Sequence, residues 1–382
     1  MNPTLHRPQP RRARRLLAAA LAGGLVLLAA ACGGDDDDAA ETTVPETTAA
    51  PETTEAAETT VPETTEAPTT TVAPTTLPPT TTTTPEPARM PLTGVPLGEG
   101  ETAPDRPALV VKLDNVECAR RTQTGLNQAD IVFEEIVEGR LTRFAAVFHS
   151  QESDPIGPIR SGRSQDVDML GGLNRPLFAW SGGNAGTNAL IAESDLVDLS
   201  AQRGGAGYFR TRSCGSPHNL FNNTSALFAQ APPEAGRPTP LFDYLEPGEV
   251  PAGDDATKIE LMVGAIPVGW EWNSDFGVYL RSQDGRAHTL GDGSPVSTNT
   301  VVVLANQYGV SSYNRVSPEA QSVGEGDAAV FTGGKAMLGH WSRPDRTSPI
   351  ILTTPEGTPI EITPGRTFVE MADVADHGTT WS

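Results

Sequence analysis

The chain has 382 residues and a formal net charge of −21. Residues 89–382 carry 36 acidic side chains against 22 lysines and arginines, which argues against a nucleic-acid partner and against adhesion to an anionic bilayer. An anionic ligand would have to be held by a local arginine cluster that works against this overall field.

Residues 1–31 have the organisation of a secretory signal. A basic head with Arg14 and Arg15 precedes an apolar stretch that is too short to span a membrane, and small residues lead directly to Cys32. This order resembles the bacterial lipoprotein signal, although Ala29 stands where that family prefers leucine. The resemblance implies that the Cys32 thiol carries lipid and holds an extracytoplasmic protein on the membrane. The alternative is ordinary cleavage that leaves Cys32 free.

Residues 32–90 predict a disordered tether. After Asp35 to Asp38 the segment consists almost entirely of Thr, Pro, Glu and Ala, and the stretch 41–48 recurs intact at 58–65. So little apolar surface cannot offset a conformational entropy cost of about 1–2 kcal/mol per residue.

Residues 91–250 mix strand and helix patterns. Strands are predicted at 108–114, at 131–138 and 142–148 around the turn at Gly139, and at 176–180. Helices are predicted at 164–170, 188–195 and 224–230. We expect an α+β or α/β N-terminal domain.

Residues 256–382 read mainly as strands. After a polar break near residue 250, short β-branched runs occur at 259–263, 276–281, 300–305, 329–332 and 349–353. Asp284-Gly285, Asp292-Gly293 and Glu356-Gly357 are typical hairpin turns. The sequence therefore predicts a β-rich C-terminal domain.

Two cysteines remain after Cys32. Cys118 and Cys214 in an exported chain favour one disulfide. The alternative is a reactive thiol at Cys214, with His218 four residues later, but a bridge would silence that thiol.

The densest polar cluster is Arg160-Ser161-Gly162-Arg163 ahead of a predicted helix at Ser164. Two guanidiniums and free N–H groups at a helix start are suited to phosphate or carboxylate. The alternative is that both arginines pair with structural carboxylates such as Glu134 or Glu138.

Other candidate ligand-binding residues lie at strand ends and in loops. They are Asp114 and Asn115 after the first strand, His218 and Asn219 after Pro217, and Trp180 beside a glycine pair. Polar strand ends are common ligand positions in α/β folds, and His218 is suited to acid–base work. Each also has a structural interpretation: His218 and Asn219 would pin a loop, and Trp180 would be core.

No motif predicts a cofactor or a metal. The sequence has no Gly-x-Ser-x-Gly elbow, phosphate loop or dinucleotide fingerprint, and its histidines are scattered singly. No catalytic residue is assigned, and the expectation leans away from an enzyme.

Several motifs in order resemble the YerB-type lipoproteins, whose two halves were first defined as domains of unknown function. They include 111–115, 123–132, 137–144, Ile156 to Arg163 and Ser216 to Leu220, with 282–285 and 364–368 in the second half. The family commonly has Gly where Arg140 stands and a basic residue near Ser213. The resemblance supports two domains and implies no settled activity.

We expect a lipid-anchored envelope protein that binds an anionic cell-wall component or a wall-synthesis protein. One alternative is an enzyme on phosphate-bearing or lipid-linked wall polymers, with Asp166, Asp168 or His218 moving protons. The other is a purely structural role, in which the same polar residues form an internal network.

Overall fold

The computed structural model describes residues 88–382. The predicted signal 1–31, Cys32 and all but the last three residues of the 32–90 tether lie outside the described residues. Regular structure begins close to Arg89, which forms an antiparallel bridge with Pro96 and an ion pair of 2.6 Å with Glu246.

The first half of the described chain alternates strands with short helices. Its strands are β1 (Leu109–Asp114), β2 (Ile131–Ile136), β3 (Thr142–Phe148), β4 (Leu177–Ala179), β5 (Val197–Asp198), β6 (Phe209–Arg210) and β7 (Leu220–Phe221). Its α-helices are α1 (Glu117–Arg120), α2 (Gln165–Leu170), α3 (Ala185–Glu193) and α4 (Thr224–Phe228), and 3-10 turns lie at 138–140, 171–173 and 201–203.

The second half contains strands and turns. The strands are β8 (Asp254–Asp255), β9 (Lys258–Val263), β10 (Ile266–Asn273), β11 (Val278–Gln283), β12 (Arg286–Ala287), β13 (Ser297–Thr298), β14 (Thr300–Asn306), β15 (Tyr308–Val310), β16 (Pro318–Ala320), β17 (Gly324–Thr332), β18 (Lys335–Arg343), β19 (Ile351–Thr353), β20 (Thr367–Asp373) and β21 (Thr380–Trp381).

One sheet of eleven strands runs through both halves. Its order is β19-β18-β17-β14-β20-β2-β3-β1-β4-β5, with β8 paired to β18. The halves meet where β20 pairs in parallel with both β14 and β2. A second sheet, β12-β11-β10-β9-β21 with β13, packs on one face through residues such as Ile259, Trp270 and Tyr279. Helices α2 and α3 contribute Val167, Leu170 and Ile191 to the core on the other face.

The fold class follows the prediction, with a mixed first half and a β-rich second half. The hairpin at Gly139 forms as expected, because this glycine takes φ 68°, which L-residues disfavour. Three of the strands with seven or more residues were not predicted: β10 contains Pro267 and Gly269, β18 mixes polar and apolar residues, and β20 buries Glu370. The division of the chain near residue 250 stays a prediction.

Candidate functional site

A row of charged side chains crosses three neighbouring strands of the main sheet, near the carboxyl ends of β1 and β2. Arg143 on β3 is the register partner of both Asp114 on β1 and Glu135 on β2. The three therefore lie side by side on one face, and Lys112, two residues before Asp114, lies on the same face. All four are buried.

Lys112 is fully compensated. Its ammonium pairs with Asp166 at 2.5 Å and with Glu135, and all three side chains are withdrawn from solvent. Burial and the neighbouring Asp166 carboxylate raise the pKa of Glu135 to about 7, although Lys112 opposes this. A buried cation between two carboxylates has the partners that burial demands.

Arg143 has no such partner. It is 8% exposed, and its guanidinium donates one hydrogen bond of 2.8 Å to the carbonyl of Ser161. Among residues 88–382 no carboxylate oxygen lies within 4.0 Å of its nitrogens. Burial, Arg163 and Arg160 lower the pKa of Arg143 to about 10, although the neighbouring Asp114 and Glu135 carboxylates oppose this, so it stays charged at neutral pH. A nearly buried cation that makes no direct ion pair is unusual and suits an anion that is not part of the chain.

Arg160 reaches the row because the neighbour of β1 changes along its length. Strand β4 pairs in parallel only with Leu109–Val111, and beyond them Ile159 bridges to Leu113. The Arg160 N–H bonds to the Lys112 carbonyl, so the Arg160 side chain lies beside Asp114, with Nε 3.2 Å from Oδ2. This is the carboxyl end of two parallel strands, where such sheets place ligands.

His218 is bound to the same carboxylate. Its Nδ1 lies 2.6 Å from Asp114 Oδ2, and the imidazole side chain is 30% exposed while Asp114 is 2% exposed. The buried carboxylate of Asp114 thus holds both Arg160 and His218. The guanidinium of Arg160 and the imidazole of His218 are more exposed to solvent than this carboxylate.

A disulfide holds the loop that carries His218. Cys118, on the helix directly after β1, is bonded to Cys214 in the β6–β7 loop, with Cα atoms 6.1 Å apart. A reactive thiol at Cys214 is therefore excluded in this state. The bridge fixes His218 to the strand end that carries Asp114.

Arg163 does not complete a helix-start anion site as the sequence suggested. Its guanidinium pairs with Glu138, the structural carboxylate considered as the alternative, and its Nη1 donates to the Gly162 carbonyl at 2.7 Å. Asp166 Oδ2 accepts the Arg163 N–H at 2.6 Å, and α2 has only six residues. The N–H groups of Arg163, Asp166 and Val167 are therefore already bonded within the protein, and Arg163 and Arg143 share the Ser161 carbonyl as an acceptor.

The other candidates have structural positions. Trp180 is fully buried and donates from Nε1 to Asp198 at 2.8 Å, so its ring cannot stack on a sugar. Asn219 fixes the β6–β7 loop through Arg210 and the Thr211 carbonyl. Asn115 lies on the opposite face of the sheet, where its amide donates to Thr142 and Gln283. Ser161 contributes its carbonyl to Arg143, and its hydroxyl faces Ser181 at 3.3 Å.

That opposite face carries a second buried polar network. Arg281 from the second sheet pairs with Glu134 at 2.5 Å, and it also bonds Gln283 and His288. Burial and Glu134 raise the pKa of Glu370 well above its usual value. These groups are all deeply buried and bond one another across the two sheets, although Arg281 Nε, Gln283 Nε2 and Glu370 Oε2 have no hydrogen-bond partner among the described residues.

Sequence reasoning found Asp114, Arg160, Arg163 and His218 but missed Arg143. A signal was present, because the strand 142–148 is apolar on both faces apart from Thr142 and this arginine and so predicts an interior charge. Within the described residues, no group of three or more His, Cys, Asp or Glu is placed to hold a metal ion.

Comparisons with known proteins match most of the described chain. Residues 92–236 match the N-terminal domain, and residues 258–369 the C-terminal domain, of a family described as protein of unknown function (DUF3048). "Putative lipoprotein YerB" of Bacillus subtilis (strain 168) is 25% identical over 302 residues, covering 75% of this chain and 87% of that protein. The crystal structure of YerB from the same species superposes with a TM-score of 0.66 at 22% identity, covering 77% of this chain and 99% of that one. The chain therefore belongs to the DUF3048 family, as the YerB-like motifs indicated.

Proposed function

We propose that this protein is a lipid-anchored, extracytoplasmic component of the cell envelope that binds an anionic group at Arg143. The lipoprotein-type signal ending at Cys32 and the description of the YerB relative as a lipoprotein support the anchor. Within residues 88–382 no helix is both long and apolar enough to cross a membrane.

The observation that carries the binding role is the buried guanidinium of Arg143, which makes no ion pair within the described residues. Each neighbouring cation has its own carboxylate: Lys112 has Glu135 and Asp166, Arg160 has Asp114, and Arg163 has Glu138. The four carboxylates balance the four cations in number, but two of them are paired with Lys112, so Arg143 is the cation that makes no ion pair. A phosphate or carboxylate beside Arg143 would complete the pairing, with Arg160 and His218 at the solvent side.

The test uses the chain from residue 33, which contains the compact unit 81–382. Its melting temperature is measured with phosphate, a glycerol-phosphate polymer and a uronic acid polymer, for the wild type, Arg143→Gln and the exposed control Arg286→Gln. At a hundred times its Kd a ligand stabilises by about 2.7 kcal/mol. We expect a shift in the wild type and control that Arg143→Gln loses. The same shift in all three proteins would refute the site.

One observation favours a second candidate, an enzyme acting on phosphate-bearing wall polymers. Asp114 bonds His218 Nδ1, an arrangement that orients an imidazole for proton transfer at its other nitrogen. Asp166 is committed to Lys112 and the Arg163 N–H, so it is a poor proton carrier. The enzyme hypothesis predicts release of phosphate or sugar from such a polymer that His218→Ala abolishes while the melting temperature is unchanged.

A further inference from the structure

An arm with exposed apolar side chains lies beside the anion site. We define the apolar arm as residues 308–320, which comprise β15, β16 and the loop between them. Val310 is 69% exposed and Val316 is 73% exposed, and Tyr313 of the same loop is also exposed. Exposed aliphatic side chains grouped on one short segment mark a contact surface more often than scattered ones do.

The arm is attached directly to the elements that form the anion site. The hydroxyl of Ser311 lies 2.6 Å from that of Ser164, the residue that follows Arg163. The Ala320 N–H donates to Gln165 on α2 at 2.7 Å. Ser317 donates to Glu138, the carboxylate that also pairs with Arg163. These contacts fix the position of the arm relative to the arginines.

A groove of about 380 Å³ runs between the arm and the β2–β3 turn. Its apolar walls are formed by Ile136, Val137, Val310, Val316 and Pro318, and the charged residues Glu138, Arg140, Arg315 and Asp373 also line it. Glu138 lines the groove and also pairs with Arg163, so the groove begins at the edge of the arginine cluster. Hydrogen bonds from Arg163 and Ser317 outweigh the effect of burial and lower the pKa of Glu138, so its charge is balanced by that of Arg163.

We propose that the ligand is an anionic amphiphile whose phosphate binds at Arg143 and whose hydrocarbon tail lies in this groove against Val310 and Val316. This rests on the proposed function and adds the class of ligand. Arg143 does not line the groove itself. Arg163 connects the two, because its guanidinium reaches the same Ser161 carbonyl as Arg143 and pairs with Glu138 in the groove. Each methylene buried in the groove contributes about 0.8 kcal/mol, or about fourfold in affinity.

The test compares three probes by titration calorimetry on the chain from residue 33: inorganic phosphate, farnesyl phosphate below its micelle concentration, and farnesol. We expect farnesyl phosphate to bind at least about tenfold more tightly than phosphate. The double variant Val310→Ser/Val316→Ser should remove most of that gain and leave phosphate affinity unchanged. Phe276→Ser, an equally exposed apolar residue in the β10–β11 turn, is the matched control and should change neither affinity.

The outcomes separate this inference from the proposed function. Equal affinities for phosphate and farnesyl phosphate, both lost in Arg143→Gln, would overturn the tail site and keep the anion site. Absence of binding by either would overturn both. Farnesol binding as tightly as farnesyl phosphate, insensitive to Arg143→Gln, would make the groove a separate apolar site. Concentration-dependent dimerisation that the double valine variant abolishes would instead assign the arm to a second copy of the chain.

Discussion

At the scale of single residues, the interior charges of β1, β2 and β3 differ in how completely the chain satisfies them. Lys112 lies between Glu135 and Asp166, and its removal would leave two buried carboxylates without a cation. Arg143 bonds one carbonyl, and its carboxylate neighbours are held by other cations. The same sheet therefore holds one cation that is paired with two carboxylates and one that makes no ion pair.

We expect this difference to appear in stability. Lys112→Met should lower the free energy of unfolding by about 3–5 kcal/mol, because it leaves uncompensated buried charge. Arg143→Gln should change it by no more than about 1 kcal/mol, since it removes a charge that had no pair. Urea denaturation of both variants checks this. A comparable loss in the two variants would make Arg143 a structural residue and remove the main support for the binding site.

Glu135 should give the stability a specific pH dependence. Its folded pKa is raised to about 7 from the usual 4.5, so between these values the folded state binds more protons than the unfolded state. The contribution of Glu135 to the free energy of unfolding therefore falls as pH rises from about 4.5 to about 7, and it changes no further above that. Urea denaturation from pH 5 to 8 should show that slope in the wild type and in the exposed control Glu271→Gln. A wild-type slope in Glu135→Gln would show that another group is responsible.

At the scale of elements, the site depends on a change of neighbour along β1. Strand β4 leaves after Val111, the segment around Ile159 takes its place, and this brings Arg160 to Asp114. On the other side the Cys118–Cys214 bridge holds the β6–β7 loop at the same strand end. Two irregular segments thus carry the exposed half of the site, and the regular strands carry the buried half.

The bridge should matter for both stability and binding. The double variant Cys118→Ser/Cys214→Ser removes a disulfide that joins residues 96 positions apart. In the chain-entropy model this loss lowers the free energy of unfolding by about 4–5 kcal/mol. Phosphate affinity should also fall, because His218 is no longer held at Asp114. Denaturation and titration of the double variant check both effects, and adding a reductant to the wild type should reproduce them. Unchanged affinity with lowered stability would mean that His218 takes no part in binding.

The sequence allowed most local elements of the first half to be predicted, because β2 and β3 are dense in β-branched and aromatic residues around Gly139. It allowed Asp114, Arg160 and His218 to be named as candidates, since polar residues at strand ends and in loops can be identified from the sequence alone. The burial of Arg143 could be predicted from the apolar strand that contains it, but its lack of an ion pair could not. Its role depends on which strands flank β3 and on the partners that Asp114 and Glu135 find elsewhere, which are non-local facts.

At the scale of the molecule, the two halves share a sheet and a core. Ile131–Glu134 of β2 pair in parallel with Thr367–Glu370 of β20, more than two hundred residues later. One core cluster contains Val111 and Phe144 from the first half and Ile259 and Trp270 from the second. The matches to separate N- and C-terminal family domains therefore describe segments whose strands hydrogen-bond directly to one another.

This continuity predicts that neither half folds alone. A chain of residues 88–250 would expose the edge of β2 that β20 covers, together with the apolar face that the second sheet buries, and such an edge promotes aggregation. We expect the fragment 88–250 and the fragment 256–382 each to lack a cooperative thermal transition, whereas the chain from residue 33 should show a single transition by both near-ultraviolet and far-ultraviolet circular dichroism. Co-expression of the two fragments should restore a soluble complex, because the β2–β20 pairing can form between chains. A well-dispersed amide spectrum from the isolated 88–250 fragment would show instead that the first half is an independent domain, and that the parallel pairing at β20 is a contact between two folded units.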